Sequence, residues 1–308
     1  MSEPEKSVKI AVVGDVHEQW EAADGEALQR LGVDLVLFVG DFGNESVDLV
    51  HRIAALDIPK AVTLGNHDAW WTATPWGRAK CPPELRNTDR VQAQLDLLGS
   101  SHVGFGKLDF PQFGLTVVGS RPFSWGGSEW KYGDFYQERY GVSSFAESTT
   151  RIVAAVESAA TDVVIFLGHN GPKGLGDLPS DPCGKDWKPV GGDFGDPDFS
   201  EAIAQTRELG KTIPLVAFGH MHHHLRYTKE YLRKSLHVGE SGTLYLNAAR
   251  VPRIVDTSLG DRHRNFSIVT LKGSTVETAS LVWLNRSFQT ISVEILYHRP
   301  AQPLAQFA

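Results

Sequence analysis

Five short apolar runs, each closed by a glycine and then by histidine, carboxylate or amide side chains, constrain this chain more than any other feature. Residues 9–13 run into Gly14-Asp15-Val16-His17, residues 34–39 into Gly40-Asp41, and residues 61–64 into Gly65-Asn66-His67-Asp68. Residues 163–167 run into Gly168-His169-Asn170, and residues 213–218 into Gly219-His220-Met221-His222. Apolar runs this short and bounded by turn residues read as strands. Helical stretches fall between them: 24–31, stopped at Gly32; 46–56, with Val47, Val50, Ile53 and Ala54 apolar; 144–160; and 199–209. The alternation predicts an α/β fold built on a largely parallel sheet. In such sheets sites form beyond the carboxyl ends of the strands, so clusters at equivalent ends are expected to converge.

Residues 69–145 interrupt the rhythm with one helix at 89–98, ended by Gly99, a hairpin of 103–105 with 115–118, and otherwise loop. From Thr243 onward the pattern is strands, at 244–246, 266–271, 275–284 and 290–297. The glycine-rich stretch 171–195 is the best candidate for a long functional loop.

Composition bears on partners and compartment. The 308 residues carry a net charge of −7 and show no basic stripe, which argues against gripping nucleic acid. A small anionic substrate remains compatible, because a metal site supplies its own positive field. Cys81 and Cys183 have no paired spacing and fit a reducing compartment. The polar stretch Met1 to Lys9 lacks the apolar core of a signal peptide, and no apolar run is long enough to span a bilayer. A soluble, cytoplasmic protein without membrane contact is therefore expected.

The residue types then restrict the chemistry. Imidazole, carboxylate and amide oxygen suit manganese, zinc, iron or nickel. The clusters contain no thiolate, which speaks against a structural zinc site. The donors exceed what one cation needs, whereas two metals sharing a bridging carboxylate would use them. Such a pair, about 3.5–4 Å apart, clamps the attacking and departing oxygens of an in-line displacement at phosphorus. Each motif alone has a plainer reading: Asp41 could cap a helix, and Gly65-Asn66-His67-Asp68 could be a simple turn. Taken jointly, the plainer reading requires five coincidences at one structural position.

Motif by motif and in order, the set from Asp15 to His222 resembles the calcineurin-like metallophosphoesterase superfamily. The resemblance implies a four-layer α/β/β/α sandwich forming one domain over residues 1–308; the aromatic-rich stretch at about 70–142 reads, from its own composition, as a cap or insert. The resemblance also implies that Asp15, His17, Asp41 and His222 hold one metal, and that Asp41 bridges to a second held by Asn66, His169 and His220. His67 would stand beside the leaving group, oriented by Asp68. The implied activity is hydrolysis of phosphate esters by metal-bound hydroxide, and the resemblance leaves the substrate open; the partner expected is a phosphorylated small molecule or other phosphoester, and the cofactors two divalent transition metals, manganese foremost and zinc, iron or nickel as alternatives. The competing functions are a metal-binding interaction scaffold of the same fold, and a nuclease or cyclic-nucleotide phosphodiesterase.

Other residues carry secondary expectations. Asn44 reads as a helix cap before Glu45 and Val47, with contact to a bridging water as the alternative, His51 as structural or exposed, and His223 and His224 as solvated or supporting. Arg121, Arg78 and Lys173 are candidates for gripping phosphate oxygens. Cys183 lacks any nucleophile signature. Trp70, Trp71, Trp76, Trp125 and Trp130, five of the eight tryptophans, crowd the insert with Phe123, Tyr132, Phe135, Tyr136 and Tyr140. Two readings of that crowd stand: a cap that stacks an organic group of the substrate, or a satellite core under a long loop.

Overall fold

Side chains alternate along the central strands with the two-residue period of extended chain, and the computed structural model shows both faces of those strands covered. The structure describes residues 7–229 and 231–300; residues 1–6, 230 and 301–308 lie outside the described residues, including most of the polar N-terminal stretch.

The strands divide into two mixed sheets rather than one largely parallel sheet. In the first, β1 (Ser7–Val13), β2 (Leu35–Phe38) and β3 (Lys60–Val62) pair in parallel. In the second, β5 (Leu115–Gly119), β6 (Val164–Leu167), β7 (Leu215–Phe218) and β9 (Leu244–Asn247) are parallel, with β4 (Lys107–Phe110) and β8 (Leu236–Val238) antiparallel at the two edges. The chain then returns to the first sheet through β10 (Ile254–Asp256), β11 (Arg262–Lys272), β12 (Thr275–Leu284) and β13 (Thr290–His298), all paired antiparallel.

Alternation decides what each face meets. Ile10 and Val12 of β1 and Leu35 and Leu37 of β2 meet Ile165 and Leu167 of β6 and Leu215 and Ala217 of β7 in one apolar interior. Burying each such side chain contributes about 1.5–3 kcal/mol. On the opposite face, Ala11, Val13, Val36 and Phe38 pack on α1 (Ala22–Arg30), α2 (Val47–Ala54) and α4 (Arg90–Leu98). The outer face of the second sheet, with Phe166, Val216 and Phe218, packs on α6 (Phe145–Glu157) and α7 (Pro197–Glu208). The layers run helix, sheet, sheet, helix.

The insert is more structured than a loop. It holds α3 (Pro75–Lys80) and α5 (Gly133–Tyr140) as well as α4. Thr74 and Asp89 start α3 and α4 by accepting the N–H of Gly77 and Gln92. The hairpin is β4 with β5, not residues 103–105 with 115–118. Val103 donates its N–H to Val62 O beside the first sheet, and Phe105, at φ +55°, turns the chain before β4 begins. Among the described residues no helix is long and apolar enough to cross a membrane.

Candidate metal centre

The polar clusters meet where the carboxyl ends of both sheets open together. Asp15 and His17 follow β1, Asp41 follows β2, and Asn66 and His67 open a 3-10 turn after β3. His169 follows β6, and His220 and His222 follow β7, so the second sheet closes the site from the other side. The chain bends sharply to do this. Asp15, His17, Asp41 and His220 have φ of +35°, +42°, +52° and +66°. Side chains other than glycine disfavour that region, and each such position costs about 1–3 kcal/mol and persists because its surroundings impose it. The glycines explain the close approach: a Cβ on Gly65 would strike the Asp41 carboxylate and the His169 ring, and one on Gly219 would strike the Asp15 carboxylate.

Three overlapping groups of ligand-type atoms result: Asp15 with His17 and His222, His17 with Asp41 and His67, and Asp41 with His169 and His220. In the first, His17 Nε2 lies 3.0 Å from His222 Nε2, which lies 3.1 Å from Asp15 Oδ2. That Asp15 oxygen is buried and has no hydrogen-bond partner. In the third, His169 Nε2 lies 2.9 Å from Asn66 Oδ1, 3.2 Å from His220 Nδ1 and 3.3 Å from Asp41 Oδ1. Asp41 joins the groups, with Oδ2 3.8 Å from His17 Nε2 and 4.0 Å from His67 Nε2.

This donor set fits cations. The His169 Nδ1–H donates to the Val39 carbonyl at 2.7 Å, so in the neutral ring Nε2 is the acceptor. Facing it are Asn66 Oδ1 and Asp41 Oδ1, which accept and cannot donate. Acceptors so crowded and buried repel one another unless positive charge lies among them.

Backbone contacts hold the clusters in register. Asp41 Oδ1 accepts the His67 N–H, and Asp15 Oδ1 accepts the His220 N–H, both at 2.9 Å. Two supporting residues escaped the sequence reading. Asn247, at the end of β9, donates to Met221 O at 2.8 Å, and Arg233 donates to His222 O at 3.1 Å. Asn247 ends a strand where the five clusters end theirs, and that position was the only signal for it.

His67 has a different partner from the one expected. Asp68 is fully buried and accepts the backbone N–H groups of Gly65, Asp41 and Phe42 at 2.7, 2.9 and 2.9 Å. It braces the turns. Asn44 Oδ1 meets His67 Nδ1 at 2.7 Å instead. Asn44 is thus not a helix cap; Ser46 occupies that position on α2. Burial, and next the neighbouring His17 and His169, push the His67 imidazole down to about 4.

The remaining expectations sort themselves by burial. Arg121 is buried and committed to Asp196 and Asp198, each at 2.9 Å, and so cannot reach a phosphate. Arg78 is exposed on the flank and donates to Thr72 O at 2.8 Å, and Lys173 is exposed beside a different cavity. His51 and His224 are exposed, and His223 meets Ser235 Oγ at 3.3 Å. Cys183 is buried, and burial pushes its thiol up. The aromatic insert divides: Phe123, Phe135 and Tyr136 join the core, whereas Trp70 and Trp125 line a cleft beside His67.

Over residues 8–224 the chain matches the calcineurin-like phosphoesterase family, and it belongs to that family. The layered fold and the grouped histidines and aspartates define a metal-dependent phosphoesterase-type hydrolase. No curated protein matches the sequence. Among solved structures the chain is similar to a protein of Thermus thermophilus, at 13% identity over 95% of this chain and 100% of the other, with a TM-score of 0.47. It is also similar to a dimetal phosphatase from Danio rerio, at 14% identity over 96% of this chain and 100% of that one, with a TM-score of 0.45. At such identities neither likeness says anything about substrate.

Proposed function

We propose that this chain hydrolyses phosphate esters of small molecules with two divalent transition-metal ions, manganese foremost, as one catalytic domain, capped by the parts of the insert at about 70–142 that lie outside β4 and β5. Asp15, His17, Asp41 and His222 would hold one ion, and Asp41, Asn66, His169 and His220 the other. When bound, such a pair polarises phosphoryl oxygens and makes water a nucleophile near neutral pH. The observation that carries the reading is Asp41, whose two oxygens face different groups: Oδ1 lies 3.3 Å from His169 and Oδ2 3.8 Å from His17.

The chain's own residues do the rest. The carbonyl of Val39 and the Asn44 amide hold His169 and His67 in fixed ring orientations. His67 donates Nδ1–H to Asn44, so its Nε2 must take up a proton before it can give one to a departing oxygen. A phosphoryl dianion beside it favours that protonated form.

Elemental analysis and chelation test the proposal together. Metal-replete protein should carry about two transition-metal ions per chain and lose turnover of phosphoesters on chelation, with recovery on adding manganese. Asp41→Asn should deplete both ions, whereas Asn66→Ala should deplete mainly one. A fully active chelated enzyme, or replete protein without transition metal, overturns it.

A further inference from the structure

The cleft beside the metal-ligand candidates is built more elaborately than a bare phosphoryl group requires. It encloses about 660 Å³. Along one side runs a continuous stack: the His67 ring lies 4.4 Å from Trp70 at an interplanar angle of 13°, and Trp70 lies 5.4 Å from Trp125 at 20°. Trp187 and Phe194 add rings from the 171–195 loop, perpendicular to each other at 4.6 Å and 84°. Trp70, Trp125, Trp187 and Phe194 remain partly open to solvent, unlike Phe123 and Tyr136, which are buried.

Charge in the cleft is unbalanced. Asp186 is the one carboxylate among its lining residues, and that carboxylate is committed to the backbone N–H of Arg226 and Tyr227 and the hydroxyl of Thr228. Arg233 is likewise committed, to the carbonyls of Pro179, Asp181 and Gly184. Lys131 Nζ sits 4.8 Å over the Phe194 ring with one long hydrogen bond, 3.5 Å to Gly126 O, so its ammonium keeps spare donors. Arg226 is exposed and makes no ion pair among the described residues. Lys131, which lies near Glu129 and Asp196 without an ion pair to either, and Arg226 therefore border a cleft lined by partly open rings.

We infer that the cleft selects phosphoesters whose organic group carries a flat aromatic ring and a second negative charge, the ring seated against Trp125 and Trp187 and the charge at Lys131 and Arg226. This rests on the phosphoesterase reading above. Ring stacking on such residues changes binding by roughly tenfold or more per ring, and a partly desolvated ion pair by roughly fivefold.

Esters with matched alkyl leaving groups test it, because ring effects on leaving-group reactivity then drop out. The measurement is kcat/KM of the metal-replete full chain on ethyl phosphate, naphthylethyl phosphate and a carboxylated naphthylethyl phosphate. The preference should rise along that series, by about tenfold at the first step and fivefold at the second. Trp187→Ala should collapse the first step and Lys131→Ala the second, with melting temperature checked for each variant. Metal-dependent turnover with no preference among the esters overturns the inference and leaves the phosphoesterase reading standing. Should no ester be turned over, that reading fails, and calorimetry with naphthylethylphosphonate decides the inference separately. Binding that Trp187→Ala weakens upholds it, and the absence of binding ends it.

Discussion

At the scale of single residues, His67 separates the chemistry from the scaffold. It is stacked on Trp70, held through Nδ1 by Asn44, and has its other ring nitrogen 4.0 Å from Asp41. General acid help is typically worth about 10²–10⁴-fold, and it matters most when the departing alkoxide is basic. His67→Ala should retain both metals, lose roughly that factor in kcat/KM on alkyl phosphates, and lose much less on nitrophenyl esters. Loss of metal in the variant would make His67 a ligand, an outcome its place in one of the three clusters makes worth measuring. The histidine itself was legible in the sequence, but its partner was not. Asp68 is adjacent in the chain, yet the 3-10 turn points its carboxylate inward onto three backbone N–H groups. Asn44 reaches His67 from 23 residues upstream, a proximity that only folding creates.

At the scale of elements, charge fastens the segment that follows β5 to the start of α7. Arg121 follows β5 and bonds Asp196 and Asp198 at the start of α7, with Ser124 and Ser148 completing the network. Trp130, Tyr136 and Phe145 pack around its guanidinium at 5.1, 5.4 and 5.4 Å. Removing one member of a buried ion network leaves its partners charged and unpaired, at a cost of about 3–5 kcal/mol. Arg121→Met should therefore lower the unfolding free energy by that order, read from the urea midpoint at constant slope. A change below about 1 kcal/mol would mean that the network contributes nothing net. The sequence offered Arg121 as a phosphate ligand because an arginine near a strand end looks the same in either role. Burial decides between them, and burial depends on α7 arriving from 75 residues further along the chain.

At the scale of the whole molecule, acid stability should report on the junction between the two sheets. His102 bridges to Val62 of β3 just before the chain enters β4. Its Nε2 is buried without a partner, and burial pushes its imidazole from 6.5 down to about 4. A depressed histidine is neutral when folded and takes up a proton more readily when unfolded. Its contribution is therefore full above pH 6.5 and is lost as pH falls toward 4, by up to about 3 kcal/mol. Stability measured against pH should be flatter across that window in His102→Gln than in the parent, and identical slopes would rule the effect out. By itself the sequence determined the local events: which runs become strands, where glycine ends them, and which polar side chains follow each end. Those depend on periodicity and on neighbours a few residues away. The resemblance carried by the motifs already implied two stacked sheets, but only the tertiary structure decided which strands join which sheet, that Asn44 rather than Asp68 faces His67, and that Arg121 is locked away while Lys131 and Arg226 border the open cleft. Each of these is a pairing between segments distant in the chain. Such pairings are settled by which faces can be buried together, and no local pattern carries that information.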